Sequence, residues 1–149
     1  LTEKSRPSCI VLSRQKFHQI ESLGTPDFAR GAYIIRPSKS GRVRMTIIAT
    51  GAEVPLAVAV AEKLGNDVQV VSCPSVERFR AQSVLYKQQM LRGYVVAIEA
   101  SAPSPWFEFA DAVIGMNRFG LSGRGADVYA AFGFDINQIV HEIADKLKK

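Results

Sequence analysis

From Gly31 onward, short apolar runs alternate with stretches of helical character, and this alternation constrains the fold more than any other feature of the chain. The apolar runs cover residues 32–35, 45–50, 68–72, 94–99 and 112–116, and each reads as a strand. Between the second and third lies 53–64, where Val54, Leu56, Ala57, Val58, Val60, Ala61 and Leu64 leave few polar positions. That is the composition of a helix covered by a sheet. Pro55 suits its first turn, and Gly65-Asn66 supplies a stop before the next strand. Further helical stretches are expected at 83–91, 104–109 (short), 126–132 and 136–148. The last is amphipathic: Ile136, Ile139, Val140, Ile143 and Leu147 share a face, and Asp135 is placed to cap it. Lys146, Lys148 and Lys149 sit at the negative end of its dipole. Strands and helices alternating at this spacing predict a mostly parallel sheet covered on both sides.

The first strand is the exception. Only the polar loop 37–44 separates it from the second, and eight residues cannot hold a parallel crossover with a helix. It is therefore expected to run antiparallel or to lie at an edge.

The first thirty residues have a different texture. Cys9-Ile10-Val11-Leu12 reads as a strand over 8–12 with no neighbour nearby, followed by a polar linker to about Arg30. A lone short strand cannot satisfy its edges, so it reads as the end of a sheet belonging to a preceding domain. The chain opens on Leu1 without an apolar signal-peptide core, which predicts a start made by cutting. Residues 1–44 carry nine Lys/Arg against three Asp/Glu, whereas 45–149 carry ten against eleven. The excess charge thus sits on the linker. With no basic face, interleaved aromatics or recognition helix, no nucleic-acid partner is expected. No window approaches the roughly 18 consecutive apolar residues of a membrane helix, so no membrane partner is expected either.

Few residues suggest chemistry on their own. The turn Thr50-Gly51-Ala52-Glu53 follows a strand and opens a helix, so its N–H groups could hold an anion. A single Gly, no following Lys and the acidic Glu53 favour a plain turn. Cys9 and Cys73 lie 64 positions apart, without metal-ligand spacing, and both are expected to be buried, inert thiols in a reducing compartment. Cys73 follows a strand, but the two histidines are His18 in the linker and His141 off the apolar stripe of the last helix. Neither is placed to be its base. Glu99 ends a strand, with Glu108 and Asp111 close behind, which raises a paired-carboxylate acid/base site. Backbone N–H groups at the strand end are the competing way to satisfy Glu99, and they are the preferred reading. Trp106 and Phe107 read as core or interface anchors, with core favoured. No complete catalytic constellation, and no metal or cofactor site, is visible.

Several segments together carry a resemblance. They are Ile47-Ile48-Ala49-Thr50-Gly51-Ala52-Glu53-Val54, then Val70-Val71-Ser72-Cys73-Pro74-Ser75-Val76-Glu77-Arg78-Phe79 with Gln82, and Val96-Ala97-Ile98-Glu99-Ala100 with Trp106. Ile114-Gly115-Met116-Asn117-Arg118-Phe119-Gly120 with Ser122, and Phe132-Gly133-Phe134, follow in order. The chain resembles the C-terminal region of transketolases, and Val11-Leu12-Ser13-Arg14-Gln15 resembles the last strand of their middle, pyrimidine-binding domain. Deoxyxylulose-phosphate synthases and β-type 2-oxoacid dehydrogenase subunits share the fold, but their third strand leads into an Arg and a Pro-Leu-Asp segment. Here that place has the transketolase form. Asn117 stands where Asp is common, and Gly123-Arg124-Gly125 replaces an Ala-Pro entry to the next helix.

The resemblance implies an α/β fold: three layers, α/β/α, around a five-stranded mixed sheet of order 1-3-2-4-5 with strand 1 antiparallel. It implies that residues 1–30 end the pyrimidine-binding domain and link it to a C-terminal domain at 31–149. It further implies a cytoplasmic, homodimeric enzyme of the pentose phosphate pathway that moves a two-carbon ketol unit between sugar phosphates with thiamine diphosphate and Mg2+. The family's metal and diphosphate motif and its activating Glu are not in this chain, so the fragment alone is expected to bind no cofactor and to be inactive. One site residue carries over: Arg14 matches the arginine that binds the substrate phosphate, a role suited to a planar, always charged fork. The alternatives at this stage are another thiamine-diphosphate enzyme of the same superfamily, or a stand-alone α/β scaffold or sensor module.

Overall fold

The computed structural model describes Ser5, residues 7–13, Ile20 and residues 27–147. Five strands form one sheet: β1 (Tyr33–Arg36), β2 (Met45–Ala49), β3 (Val68–Ser72), β4 (Tyr94–Ile98) and β5 (Ala112–Ile114), in the order β1-β3-β2-β4-β5. β1 runs antiparallel to β3, with Tyr33 opposite Ser72. The remaining pairs are parallel, with Ile47 opposite both Val70 and Val96. Order and direction are therefore as expected from the pattern and the family resemblance.

Two apolar layers account for the architecture. Alternate side chains of the strands (Met45, Ile47, Ala49, Val68, Val70, Val96, Ile98) pack under α1 (Val54–Leu64) and α5 (Ile136–Lys146). The intervening ones (Ile48, Val71, Val95, Ala97) face Phe79, Trp106 and Phe109 on the other side. Central strands buried on both faces explain why they read as unbroken apolar runs. α1 has Pro at its first turn, and Gly65 closes it at φ 114°, donating to the Ala61 carbonyl at 3.2 Å. The α5 cap is also as expected: Asp135 accepts from the N–H groups of Asn137 at 2.9 Å and Gln138 at 3.2 Å.

The helices between β3 and β5 differ from expectation. α2 (Val76–Arg80) was not anticipated; five residues are too few for a 3.6-residue period to show. It is started by Ser75, whose hydroxyl accepts from the Arg78 N–H at 3.4 Å. α3 (Val84–Met90) follows, capped by Ser83. The expected helix at 104–109 contracts to a single 3-10 turn, Ser104–Trp106, with Pro105 inside it. α4 (Gly125–Ala131) lies one residue earlier than predicted and has no fully buried residue.

Residues 7–13 pair with no strand among the described residues, and Val11 is 90% exposed. Cys9 is exposed too, which corrects the expectation of a buried thiol: the apolar run around it has no sheet to enter here. Trp106 is core, whereas Phe107 is exposed and is not.

Candidate functional site

The chain doubles back in opposite directions from the heads of β2 and β4. β2 leads through α1 to β3 on one side, and β4 leads through the 3-10 turn at Trp106 to β5 on the other. Such a switch point opens a crevice at the C-terminal ends of the strands, where α/β proteins place their ligands. A cleft of about 1210 Å³ lies there, walled by Thr50, Gly51, Glu53 and Glu99, by Pro74, Ser75, Glu77 and Arg78, and by residues 7–13. That exceeds the roughly 300–1,000 Å³ of fitted ligand pockets. It is a crevice of domain scale.

The turn after β2 is a 3-10 turn, Gly51–Glu53, which tips straight into α1 and buries Glu53 to 4% exposure. Tyr129 of α4 donates its hydroxyl to Glu53 Oε1. Burial raises the Glu53 pKa, opposed by this phenol bond and by its own backbone N–H. Glu99, one position beyond β4, rises further, to about 7: burial is the main cause, the negative charge of Glu53 adds to it, and a bond from the Thr50 backbone N–H opposes it. Glu99 Oε2 is buried and has no hydrogen-bond partner among the described residues. Burial, the bond to Glu53 and the two carboxylate charges hold the Tyr129 phenol proton well above its ordinary value.

The preferred sequence reading of Glu99 is thus half right. A backbone N–H does reach it, but its second oxygen is orphaned. The acidic partners anticipated from sequence are elsewhere. Glu108 is held on the surface by Arg80 at 2.7 Å, and Asp111 accepts from the Val95 N–H at 2.8 Å. The carboxylate that does couple to Glu99 is Glu53, and the residue missed altogether is Tyr129. A signal existed for the first: both glutamates stand just past the ends of neighbouring strands. Tyr129 lies 76 positions from Glu53, and no local pattern links them.

The Thr50 turn spends its N–H on Glu99 and brings Glu53 alongside, so it offers no anion cradle. Cys73 is fully buried, and its thiol is pushed up to about 12, mainly by burial, with the Ser75 N–H opposing and the charges of Glu77 and Glu99 adding. It is inert, as expected. His141 is solvent-facing, 3.3 Å from Asp145. Arg14 and His18 lie outside the described residues. Among the described residues no three His, Cys, Asp or Glu side chains gather so as to hold a metal ion. This donor set does not fit a metal-bound diphosphate cofactor, whose phosphates would also meet two carboxyls, the buried Glu53 and the half-buried Glu99, at the cleft wall. No helix among the described residues is long and apolar enough to cross a membrane.

Residues 31–135 match the family described as Transketolase-like TK C-terminal domain. The chain belongs to this family. Transketolase 1 of Vibrio parahaemolyticus serotype O3:K6 is 35% identical over 99% of the chain, and transketolase 2 of Escherichia coli K12 is 36% identical over 90%. The crystal structure of transketolase from Campylobacter jejuni superposes with a TM-score of 0.82 at 34% identity, covering 89% of this chain and 21% of that one. The transketolase-like domain and its preceding segment span about a quarter of the length of such relatives: 24% of the Vibrio protein and 22% of the E. coli one.

Proposed function

We propose that this chain is the C-terminal part of a transketolase, which transfers a two-carbon ketol unit from a ketose phosphate to an aldose phosphate. The observation that carries the reading is the family match over residues 31–135, joined to a sheet of order β1-β3-β2-β4-β5 with β1 antiparallel. Thiamine diphosphate with Mg2+ would supply the carbanion chemistry. The groups that hold it belong to the other three quarters of the polypeptide. In this reading residues 31–149 are the C-terminal domain of a cytoplasmic homodimer. Residues 1–30 end the pyrimidine-binding domain and cross to it. The exposed Ile10, Val11 and Leu12 support that division, because an exposed apolar run suits packing against another domain.

Arg14 then binds the phosphate end of the sugar, with a guanidinium fork matched to phosphate oxygens. The deciding experiment is an assay of the intact polypeptide with xylulose 5-phosphate and ribose 5-phosphate: ketol transfer supports the reading, and a fully folded protein without it overturns it. In that protein Arg14→Ala is expected to raise KM for phosphorylated sugars roughly 10–100-fold with a smaller change in kcat. Calorimetric titration of the 149-residue chain with thiamine diphosphate and Mg2+ is expected to show no micromolar binding; if such binding appears, the division of labour proposed here fails.

A further inference from the structure

The head of the sheet, where the C-terminal ends of the parallel strands open the cleft, also gathers exposed apolar side chains. We infer that this head is a docking face for the domain that precedes these residues in the intact polypeptide, with Phe119 and Leu121 as its anchors on the flank away from the linker. The inference rests on the reading of the chain as the C-terminal part of a transketolase.

The topology brings the apolar groups to one end. Ile10, Val11, Leu12 and Phe28 are exposed on the flank where residues 7–13 and Phe28 share the cleft wall with Ala81 and Gln82. Phe119 and Leu121 are exposed on the other flank, in the loop that follows β5. That loop leaves from the head, where Met116 donates its N–H to the Ser101 carbonyl at 2.8 Å, and α4 brings the chain back there, with Tyr129 reaching Glu53. Scattered singly, exposed apolar side chains need no explanation. Here both flanks of one end carry them. The loops at the opposite end of the sheet, 37–44, 65–67 and 91–93, expose no large apolar side chain.

Phe119 is 96% exposed, yet its loop is held. The Arg118 guanidinium lies 4.5 Å over the Phe132 ring and donates to the Ala131 carbonyl, which ties the loop to the end of α4. An aromatic ring presented outwards by a tethered loop has the form of an interface anchor, because it buries a large area and loses little freedom in doing so. Three observations choose the occupant. Residues 7–13 lie on this face, so the chain ahead of them meets the domain here and is kept at a high effective concentration. The matched region covers 24% of the Vibrio transketolase, which leaves a body of domain size or more to be seated. The cleft wall carries Glu53, Glu77 and Glu99 against Arg78 among the described residues, so the complementary face is apolar with basic side chains.

Hydroxyl-radical footprinting of the intact polypeptide tests the docking, with Phe107 as internal standard. Phe107 is 59% exposed and follows the 3-10 turn that covers the second apolar layer, away from the head. With a free head, Phe119 oxidises the faster of the two; with a docked one, it should oxidise about tenfold more slowly than Phe107. Oxidation of Phe119 at the Phe107 rate or above it overturns the proposal. The occupant is identified with p-benzoylphenylalanine in place of Phe119. Photolysis should give a product of one-chain mass, cross-linked to a peptide from ahead of residue 1. A product of two-chain mass puts a second copy on this face and overturns the proposal, as does a one-chain product linked only within residues 1–149. The footprint uses the unmodified protein, so it decides even where the photoreactive variant folds poorly. Assay of the same preparation for ketol transfer separates the two readings: an active enzyme with Phe119 open overturns the docking face alone, and an inactive protein with no domain ahead of residue 1 overturns both.

Discussion

The two ends of the sheet bury polar side chains in opposite ways. At the N-terminal ends of the parallel strands, Gln69 donates to Thr46 Oγ1 at 2.9 Å and to the Met90 carbonyl at 2.8 Å, and Thr46 bonds the Arg92 backbone at 2.6 and 3.1 Å. Arg36 closes the same edge on the Val68 carbonyl at 2.5 Å. At the C-terminal ends, Glu53 is buried and Glu99 half-buried beside it at the cleft wall, and among the described residues one Glu99 carboxylate oxygen has no partner. The first end is a satisfied network that pins β2, β3 and the α3 exit. The second violates the rule that buried polar atoms are paired, and it does so where the topology opens a cleft. Local conflict of that kind is expected where a fold keeps a site rather than where it keeps stability.

The largest effect should come from breaking the satisfied end. Gln69→Leu keeps the volume and removes two bonds, leaving the Met90 carbonyl without its donor and Thr46 short of one. Denaturant melts are expected to show a loss of about 2–3 kcal/mol, equal in acid and at neutrality because nothing in that network titrates near pH 7. A loss that grows with pH would mean that the two ends are not independent.

The C-terminal end should respond to pH instead. Glu99 has a folded pKa above its unfolded one, at about 7 against 4.5. As pH rises through that window the unfolded chain sheds the proton first, so the stability this group contributes is full below about 4.5 and is lost by about 7. In Glu99→Gln that loss cannot occur. The variant should therefore gain on the unmodified protein by on the order of 2 kcal/mol between about pH 4 and about pH 8. A constant difference across that range would show that Glu99 titrates normally.

Tyr129→Phe comes next in size. It removes the hydroxyl bond to a carboxyl that is otherwise shut in, at a cost of about 1–2 kcal/mol, and it should push the Glu53 pKa higher still. Thermal melts followed at about pH 5 and about pH 8 should therefore show the larger loss at the higher pH, since the lost bond favours the charged carboxyl over the neutral one.

How much of this could be read in advance follows the same division. The strands, α1 and α5 were legible because burial on two faces or one stripe writes a period into the residues, as in Met45–Ala49 and Ile136–Lys146. The loop 37–44 was short enough to predict the antiparallel β1. α2 was not legible, because five residues hold no period, nor was the loss of the helix at 104–109, where Pro105 sits among residues that otherwise suit one. Of the site, Glu99 could be picked out as a carboxylate at a strand end. Its partner Glu53 lies 46 positions earlier, in the turn after β2; only the expected order of strands hinted at the pairing, and Glu108 and Asp111, closer in sequence, drew the reading instead. Cys9 was misread for a related reason: an apolar neighbourhood predicts burial only if a sheet is there to receive it.

The smallest effect is the control that gives the comparison its meaning. Glu108 was a sequence candidate for the same acidic site, but it lies in solvent with Arg80 at 2.7 Å, both side chains nearly half exposed. Water screens such a pair, so a double-mutant cycle of Arg80→Ala and Glu108→Gln should return under about 0.5 kcal/mol. The Glu108→Gln variant should also keep the pH slope that Glu99→Gln abolishes, since its side chain stands in solvent beside Arg80 and away from Glu99 and Glu53. If Glu108→Gln flattened the profile as well, the slope would belong to the net charge of the domain and not to the enclosure of Glu99 beside Glu53.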